Sequence, residues 1–402
     1  MKVTAIETLR LDEFPNLLWV QVYTDQGLIG LGETFYGIAT AEAHIHEFVA
    51  PRLLGADPLL IEAIARRLVG YVGYSGSSAE QRGNSAIDIA LWDLWGQASG
   101  QPIHQLLGGA SRESVRVYNT CAGTRYVRKK DLQATANFGL PGEGAQGPYE
   151  DLDGFLNRAD ELALSLLEMG ITGMKIWPFD FAAEASGGHY ISRTDLNRAL
   201  EPFAKIRAAV GDKIDVMAEL HGLWNLPMAK RIAEALDDYD LLWIEDPVPM
   251  DHLASIAEVA AATPTPIAVG ETLGGRGQYR ALLELEAVGL VIMDLTWGGG
   301  LSEARKIAAM TEAWHLPFAA HDCTGPVALT ASVHLALSAP NVFIQEVVRA
   351  FYYGWYGELV TDLPPIENGQ IRAPQGPGLG TRLLPEVPKR PDAHIRRSTA
   401  EP

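Results

Sequence analysis

Three glutamates stand 26 residues apart along the chain: Glu219 in VMAELHG, Glu245 in LLWIEDP and Glu271 in IAVGETL. Each closes a short apolar run rich in Val, Ile, Leu or Met, and helical periodicity fills the space before the next run. The interval is that of one strand, one helix and the two loops joining them. The chain therefore places a carboxylate at the C-terminal end of three successive parallel strands. A closed βα barrel gathers those ends on one face, where its chemistry sits. Three acids converging in a small volume raise one another's pKa and cannot all stay ionised without a cation. Anionic oxygen donors suit a hard divalent ion, Mg²⁺ before the others.

The same rhythm extends to both sides of the trio. Apolar runs VRVYNT (115–120), GMKIW (173–177), DVMAEL (215–220), LLWIED (241–246), PIAVGE (266–271), LVIMDL (290–295), PFAAHD (317–322) and FIQEV (343–347) alternate with helical stretches such as LPMAKRIAEAL and LSEARKIAAMTEAW. Eight units make a (β/α)₈-type barrel. Ahead of it, residues 2–36 read as three strands around a hairpin signal at Asp25-Gln26-Gly27, and helical periodicity follows over 41–70 and 79–107. Strands followed by helices without alternation indicate an α+β lid. The sequence thus divides into a lid over 1–113 with 358–385 returning to it, a barrel over 114–357, and a flexible tail over 386–402 rich in Pro and charge. Segments 122–154 and 179–193 break the rhythm after strands. They are expected over the active face, as substrate-contacting loops or as solvated insertions.

A net charge of −18 on 402 residues argues against nonspecific nucleic-acid binding. The N-terminus lacks a charged-then-apolar signal pattern, and no apolar run reaches the roughly 18 residues of a membrane span. Two cysteines, Cys121 and Cys323, are too few and too far apart for a disulfide scaffold or a zinc cluster. These features lead us to expect a cytoplasmic protein with reduced thiols and no nucleic-acid or membrane partner.

Read in order, the strand ends carry Lys175, Glu219, Glu245, Glu271, Asp294, His321 and Glu346, one ionisable residue for each unit from the second to the eighth. At this point the chain resembles the enolase superfamily in its mandelate racemase/muconate lactonizing subgroup, nearest to the galactonate dehydratase-like aldonate dehydratases. The resemblance is carried by SAIDIALWDLWGQASGQPIHQLLGG, GMKIW, AELHGLWNLPMAKRIAEAL, WIEDPVP, IAVGET, LSEARKIAAM, AHDCTGPVALTASVHLAL and FIQE, which span most of residues 1–380. Each motif alone is weak; the set is specific.

The resemblance implies removal of a proton alpha to a carboxylate, with an ene-diolate intermediate stabilised by Mg²⁺. Glu219, Glu245 and Glu271 would be the metal ligands. Three carboxylates and one Mg²⁺ leave a net charge of −1, which Lys175 would balance. His321, oriented by Asp294, would be the general base. His221 stands two residues past Glu219, which on a strand would aim both side chains into the site. In the dehydratases that this stretch resembles, that His acts as general acid on the departing 3-hydroxyl. Hydroxide leaves poorly, so elimination needs a placed proton donor where racemisation does not. Trp177 stands two past Lys175, where racemases that the chain resembles carry a second Lys base, so a two-base racemase is disfavoured. Glu346 would hydrogen-bond the substrate carboxylate from a protonated state. Trp177, Arg276 and Trp297 are candidate substrate contacts.

Taken singly, a strand-end acid more often makes a loop salt bridge, a lone His is more often structural, and a Trp is often plain core. The even spacing of the trio and the pairing of His321 with Asp294 weigh against those readings. The expectation is a hydro-lyase that converts an aldonate to a 2-keto-3-deoxy acid, acting as a homo-oligomer like many relatives. Within the same superfamily a one-base epimerase or cycloisomerase stays open, as does a catalytically silent sugar-acid binder. A two-metal hydrolase would more often place His-x-His at a strand end, and the HIH at 44–46 falls in the lid.

Overall fold

A computed structural model of the chain describes residues 1–70, 78–129, 133–140 and 149–399. Residues 130–132 and 141–148 of the 122–154 segment, and 400–402 of the expected tail, lie outside the described residues.

The lid opens with an antiparallel meander of β1 (Val3–Leu11), β2 (Leu17–Thr24) and β3 (Ile29–Phe35). Its hairpin turns at Gly27, whose φ of 78° is the left-handed conformation that glycine adopts without strain. The long helix Ala79–Ser99, capped by Ser78, lies across β3. That contact needs glycine where the strand meets the helix, because a Cβ on Gly32 would stand 1.9 Å from the Ala86 carbonyl oxygen. The expected 41–70 helix is instead broken into Ile38–His44, a π turn at Ile45–Val49, Ala50–Leu53 and Ile61–Leu68. Gly55 in the left-handed region and Pro58 interrupt it.

All eight predicted barrel strands form: β4 (Val115–Thr120), β5 (Gly173–Ile176), β6 (Asp215–Glu219), β7 (Trp243–Glu245), β8 (Ile267–Val269), β9 (Leu290–Asp294), β10 (Phe318–His321) and β11 (Ile344–Val347). β4 to β10 pair in parallel in chain order, and β11 pairs with β4. A parallel bridge between Phe318 and Val342 brings β10 against the start of β11 and closes the ring. Inside it Tyr118, Met217, Trp243, Ala268, Leu290, Ile292, Ala319 and Ile344 form one buried cluster. Each large member contributes roughly 1.5–3 kcal/mol by leaving water. Tyr118 and Trp243 meet edge to face at 5.3 Å and make a solid floor for whatever lies above.

The C-terminal stretch departs from expectation twice. Within 358–385, a small hairpin of β12 (Ile366–Glu367) and β13 (Gln370–Ile371) extends the barrel sheet on β4. Only beyond it does the chain return to the lid, where the Leu379 N–H donates to Asp93 Oδ1 at 2.8 Å. The tail expected to be flexible instead forms β14 (Ala393–Thr399), antiparallel to β1 with Ala5 opposite Thr399. Among the described residues no helix is long and apolar enough to cross a membrane.

Candidate active site at the strand ends

Strand register brings the candidates together. Glu219 and Glu245 are Cα partners on β6 and β7, and Asp294 and His321 are partners on β9 and β10. Glu219, Glu245 and Glu271 are all buried, and each offers a carboxylate oxygen within 4.8 Å of the others. Lys175 Nζ reaches Glu245 Oε1 at 2.5 Å, Glu346 Oε1 at 3.1 Å and Glu219 Oε2 at 3.2 Å. Burial alone would lower the Lys175 pKa, but the surrounding acids carry it well above its usual value.

One ammonium does not neutralise this cluster. Burial and the neighbouring Glu219 push Glu245 up to about 8 in spite of Lys175. Burial and Glu271 likewise raise Asp246 well above the carboxylate range. Such a set of hard oxygen donors, short of positive charge, fits a divalent metal ion.

His321 Nδ1 lies 2.8 Å from Asp294 Oδ2, and its Nε2 faces Glu271 Oε2 at 3.3 Å. Burial pulls its pKa down, but Glu271, Glu346 and Asp294 together carry it well above the ordinary value. His221 enters the site by a different route from the one predicted. β6 ends at Glu219, and His221 sits beyond it with φ of 51°, its backbone N–H donating to Glu219 Oε1 at 2.7 Å. A left-handed turn aims the ring, not strand alternation, and a non-glycine residue adopts that conformation only where its surroundings hold it. Its Nδ1 stands 2.9 Å from Oδ2 of Asp180, which no sequence pattern singled out. Burial lowers the His221 pKa, yet Asp180 and Glu219 raise it to about 9.

Residues 158–387 match the family model for the enolase C-terminal domain-like fold, and residues 3–108 match the N-terminal domain of mandelate racemase and muconate lactonizing enzymes. The chain belongs to the enolase superfamily, in the mandelate racemase/muconate lactonizing group. It is 32% identical to a D-xylonate dehydratase of Haloferax volcanii over 95% of this chain and 87% of that one. It is 33% identical to a D-galactonate dehydratase of Ralstonia nicotianae over 95% and 92%. Its fold follows an enolase of the mandelate racemase subgroup from Agrobacterium tumefaciens at TM-score 0.88 and 53% identity, covering 100% of this chain and 99% of that one. An enolase protein from Sargasso Sea environmental sequencing superposes with TM-score 0.88 at 46% identity over the whole of both chains.

In this superfamily member the strand-end residues surround a cavity of about 60 Å³. Lys175, Glu219, Glu271, His221, His321 and Glu346 line its polar side, while Trp177 and Trp297 supply apolar walls. Trp177 packs edge-on against His221 at 5.8 Å, and Trp297 lies 5.0 Å from the His321 ring. Both indole nitrogens are buried without a hydrogen-bond partner among the described residues. A substrate hydroxyl can accept from either.

Two candidates stand in settings other than those expected. Glu346 is drawn toward its ionised form rather than toward a protonated carboxyl. Burial would raise it, but Lys175 and His321 pull it down to about 2, and its oxygens accept from Thr120 Oγ1 and the Asp322 N–H. Its Oε1 pairs with Lys175 Nζ at 3.1 Å. Arg276 is absent from the cavity's lining and lies half-exposed, its Nε 3.0 Å from Glu303. It borders a larger cavity of about 820 Å³ between the lid helix Ile61–Leu68 and the barrel helix Gly275–Leu283. None of the three clustered glutamates lines that cavity. Thr120, Tyr126 and Gln133 were also missed, although all three border the cavity at the strand ends. Tyr126 and Gln133 come from the irregular 122–154 segment, where periodicity offers nothing to read.

Proposed function

We propose that this chain is a Mg²⁺-dependent aldonate dehydratase that converts a 2,3-dihydroxy acid to a 2-keto-3-deoxy acid. The observation carrying the reading is that two histidines border one small cavity, and each has its Nδ1 turned to a carboxylate of its own. Nε2 of His221 and Nε2 of His321, the latter beside Glu271, are the ring nitrogens not facing those partners, one to give a proton and one to take it. The reading is supported by the dehydratases named above, which align over 95% of the chain.

The substrate carboxylate acquires a second negative charge as C2 loses its proton. Mg²⁺ held by Glu219, Glu245 and Glu271 would supply the charge that offsets it. Lys175, braced by Glu346, adds a fixed ammonium beside the same oxygens. With the negative charge that raises the His321 pKa offset by a cation held at Glu271 and its neighbours, His321 in its neutral form would take the proton from C2 at Nε2, the C–H electron pair passing into the ene-diolate. That intermediate collapses to a C2–C3 double bond as the C3–O bond breaks. His221 gives the departing hydroxide its proton, so one water leaves, and the resulting enol tautomerises to the 2-keto acid. Trp177, just past the end of β5, stands where a second base would and transfers no proton, which argues against racemisation. The buried walls exclude bulk water and preserve the strength of these interactions.

The test is a library of acid sugars incubated with the protein and Mg²⁺, assayed for 2-keto-3-deoxy acid. Turnover of a library member that ceases on chelation is the expected result. Tight binding of an acid sugar with no turnover of any would mark a silent binder and refute the reading.

A further inference from the structure

We propose that Asp180 is a positioning residue for His221, forming a second His–Asp pair in addition to His321–Asp294. The inference rests on the dehydratase reading, since it concerns the group proposed to protonate the leaving hydroxyl. Asp180 opens the short helix Asp180–Ser186 in the segment after β5, and its side chain is buried. Its Oδ2 lies 2.9 Å from His221 Nδ1 and also accepts from Gln133 Nε2 at 3.1 Å. Gln133 is held in turn by Tyr126, whose hydroxyl donates to Gln133 Oε1 at 3.0 Å.

The consequence is geometric. His221 stands on a left-handed turn just past a strand end, so no strand ladder fixes its ring. The Asp180 carboxylate stands 2.9 Å from Nδ1, an ion-pair contact not aligned as a hydrogen bond, and a charge on that side of the ring favours Nε2 toward the cavity. Gln133 occupies that same carboxylate oxygen, and Gln133 and Tyr126 line the cavity themselves. A ligand that fits against them therefore also presses on the chain of contacts that aims the acid. The 122–154 and 179–193 segments thereby meet at one functional group.

The closing experiment compares wild type, Asp180→Asn, His221→Asn and the double variant in D₂O, with an aldonate that the wild type dehydrates and Mg²⁺ present. It measures formation of 2-keto-3-deoxy acid and deuterium at C2 of recovered substrate. Asp180→Asn is expected to slow elimination at least about tenfold, up to the about 10²–10⁴-fold that a placed general acid supplies. Its ratio of C2 exchange to product should rise, because proton abstraction by His321 outruns loss of the hydroxyl. In the His221→Asn background the Asp180 change should cost no further activity. Wild-type elimination by Asp180→Asn, an equal fall in exchange and elimination, or multiplying losses in the double variant would each overturn the proposal. Should Asp180→Asn lose its cooperative melting transition, Gln133→Leu takes its place, with a rise in the same ratio expected and an unchanged ratio counting against. Absence of keto acid from the wild type with every aldonate is a different failure, that of the dehydratase reading, and this inference falls with it.

Discussion

Nδ1 of His321 lies 2.8 Å from Oδ2 of Asp294, with the two residues directly opposite each other on adjacent parallel strands. The other carboxylate oxygen is fixed too, accepting from the Thr296 N–H, the Thr296 hydroxyl and the Trp297 N–H. Asp294 therefore cannot swing to follow the ring; the ring must follow Asp294. Nε2 is left as the position where His321 exchanges a proton with anything in the cavity.

Asp294→Asn should consequently impair the first proton transfer itself. Deuterium exchange at C2 and keto-acid formation should fall together, by about 10²-fold or more. Parallel measurement of both in D₂O checks this. Loss of product with exchange intact would assign Asp294 to a later step.

Metal binding should follow the trio. The wild type is expected to bind one divalent ion per chain, and Mg²⁺ at 100 times its Kd should raise the unfolding free energy by about 2.7 kcal/mol. Glu245→Gln removes one donor of the cluster and should show no such rise at the same Mg²⁺ concentration. Denaturant titrations with and without Mg²⁺ provide the comparison, and equal stabilisation of both proteins would contradict the assignment.

The indole of Trp177 carries a buried N–H without a partner among the described residues. If it donates to a substrate hydroxyl, Trp177→Phe keeps the apolar wall and removes one hydrogen bond of about 0.5–1.5 kcal/mol. KM should then rise while kcat changes little. A variant with unaltered KM would make Trp177 a packing residue.

Acid stability has a separate handle at the seam between lid and barrel. His334 Nε2 pairs with the Leu379 carbonyl at 3.1 Å, and the His104 N–H lies 3.3 Å from its Nδ1. Burial pushes its pKa from 6.5 down to about 4. Between those values the unfolded chain binds a proton that the folded one refuses, so stability falls as pH drops through that window and is whole above it. The difference is worth on the order of 3 kcal/mol. Urea unfolding at pH 6.5 and 4.5 should show a steeper loss for wild type than for His334→Gln; equal losses would contradict it.

The sequence revealed most where one regularity repeats. Strands of parallel sheets are buried on both faces and read as apolar runs, so the eight barrel strands and their terminal acids stood out together. His221 was found by its spacing from Glu219, but for the wrong geometric reason, because a left-handed turn rather than strand pleating aims it. Asp180 left no trace, since it meets His221 across 41 positions and from a loop. Strand β14 was hidden for a related cause. It is an edge strand with mostly exposed side chains, joined to β1 at the opposite end of the chain by backbone hydrogen bonds that any residues can make. Arg276 was a candidate with no discriminating signal, and from the start of the helix Gly275–Leu283 it faces Glu303 and solvent.

The central claim is that His221 turns an enolising site into a dehydrating one. The most direct measurement is the fate of a turned-over aldonate with His221→Asn in D₂O with Mg²⁺, followed by NMR at C2 and by keto-acid assay. The account predicts deuterium at C2 with keto-acid formation reduced by about 10²–10⁴-fold. Undiminished dehydration by that variant would contradict it.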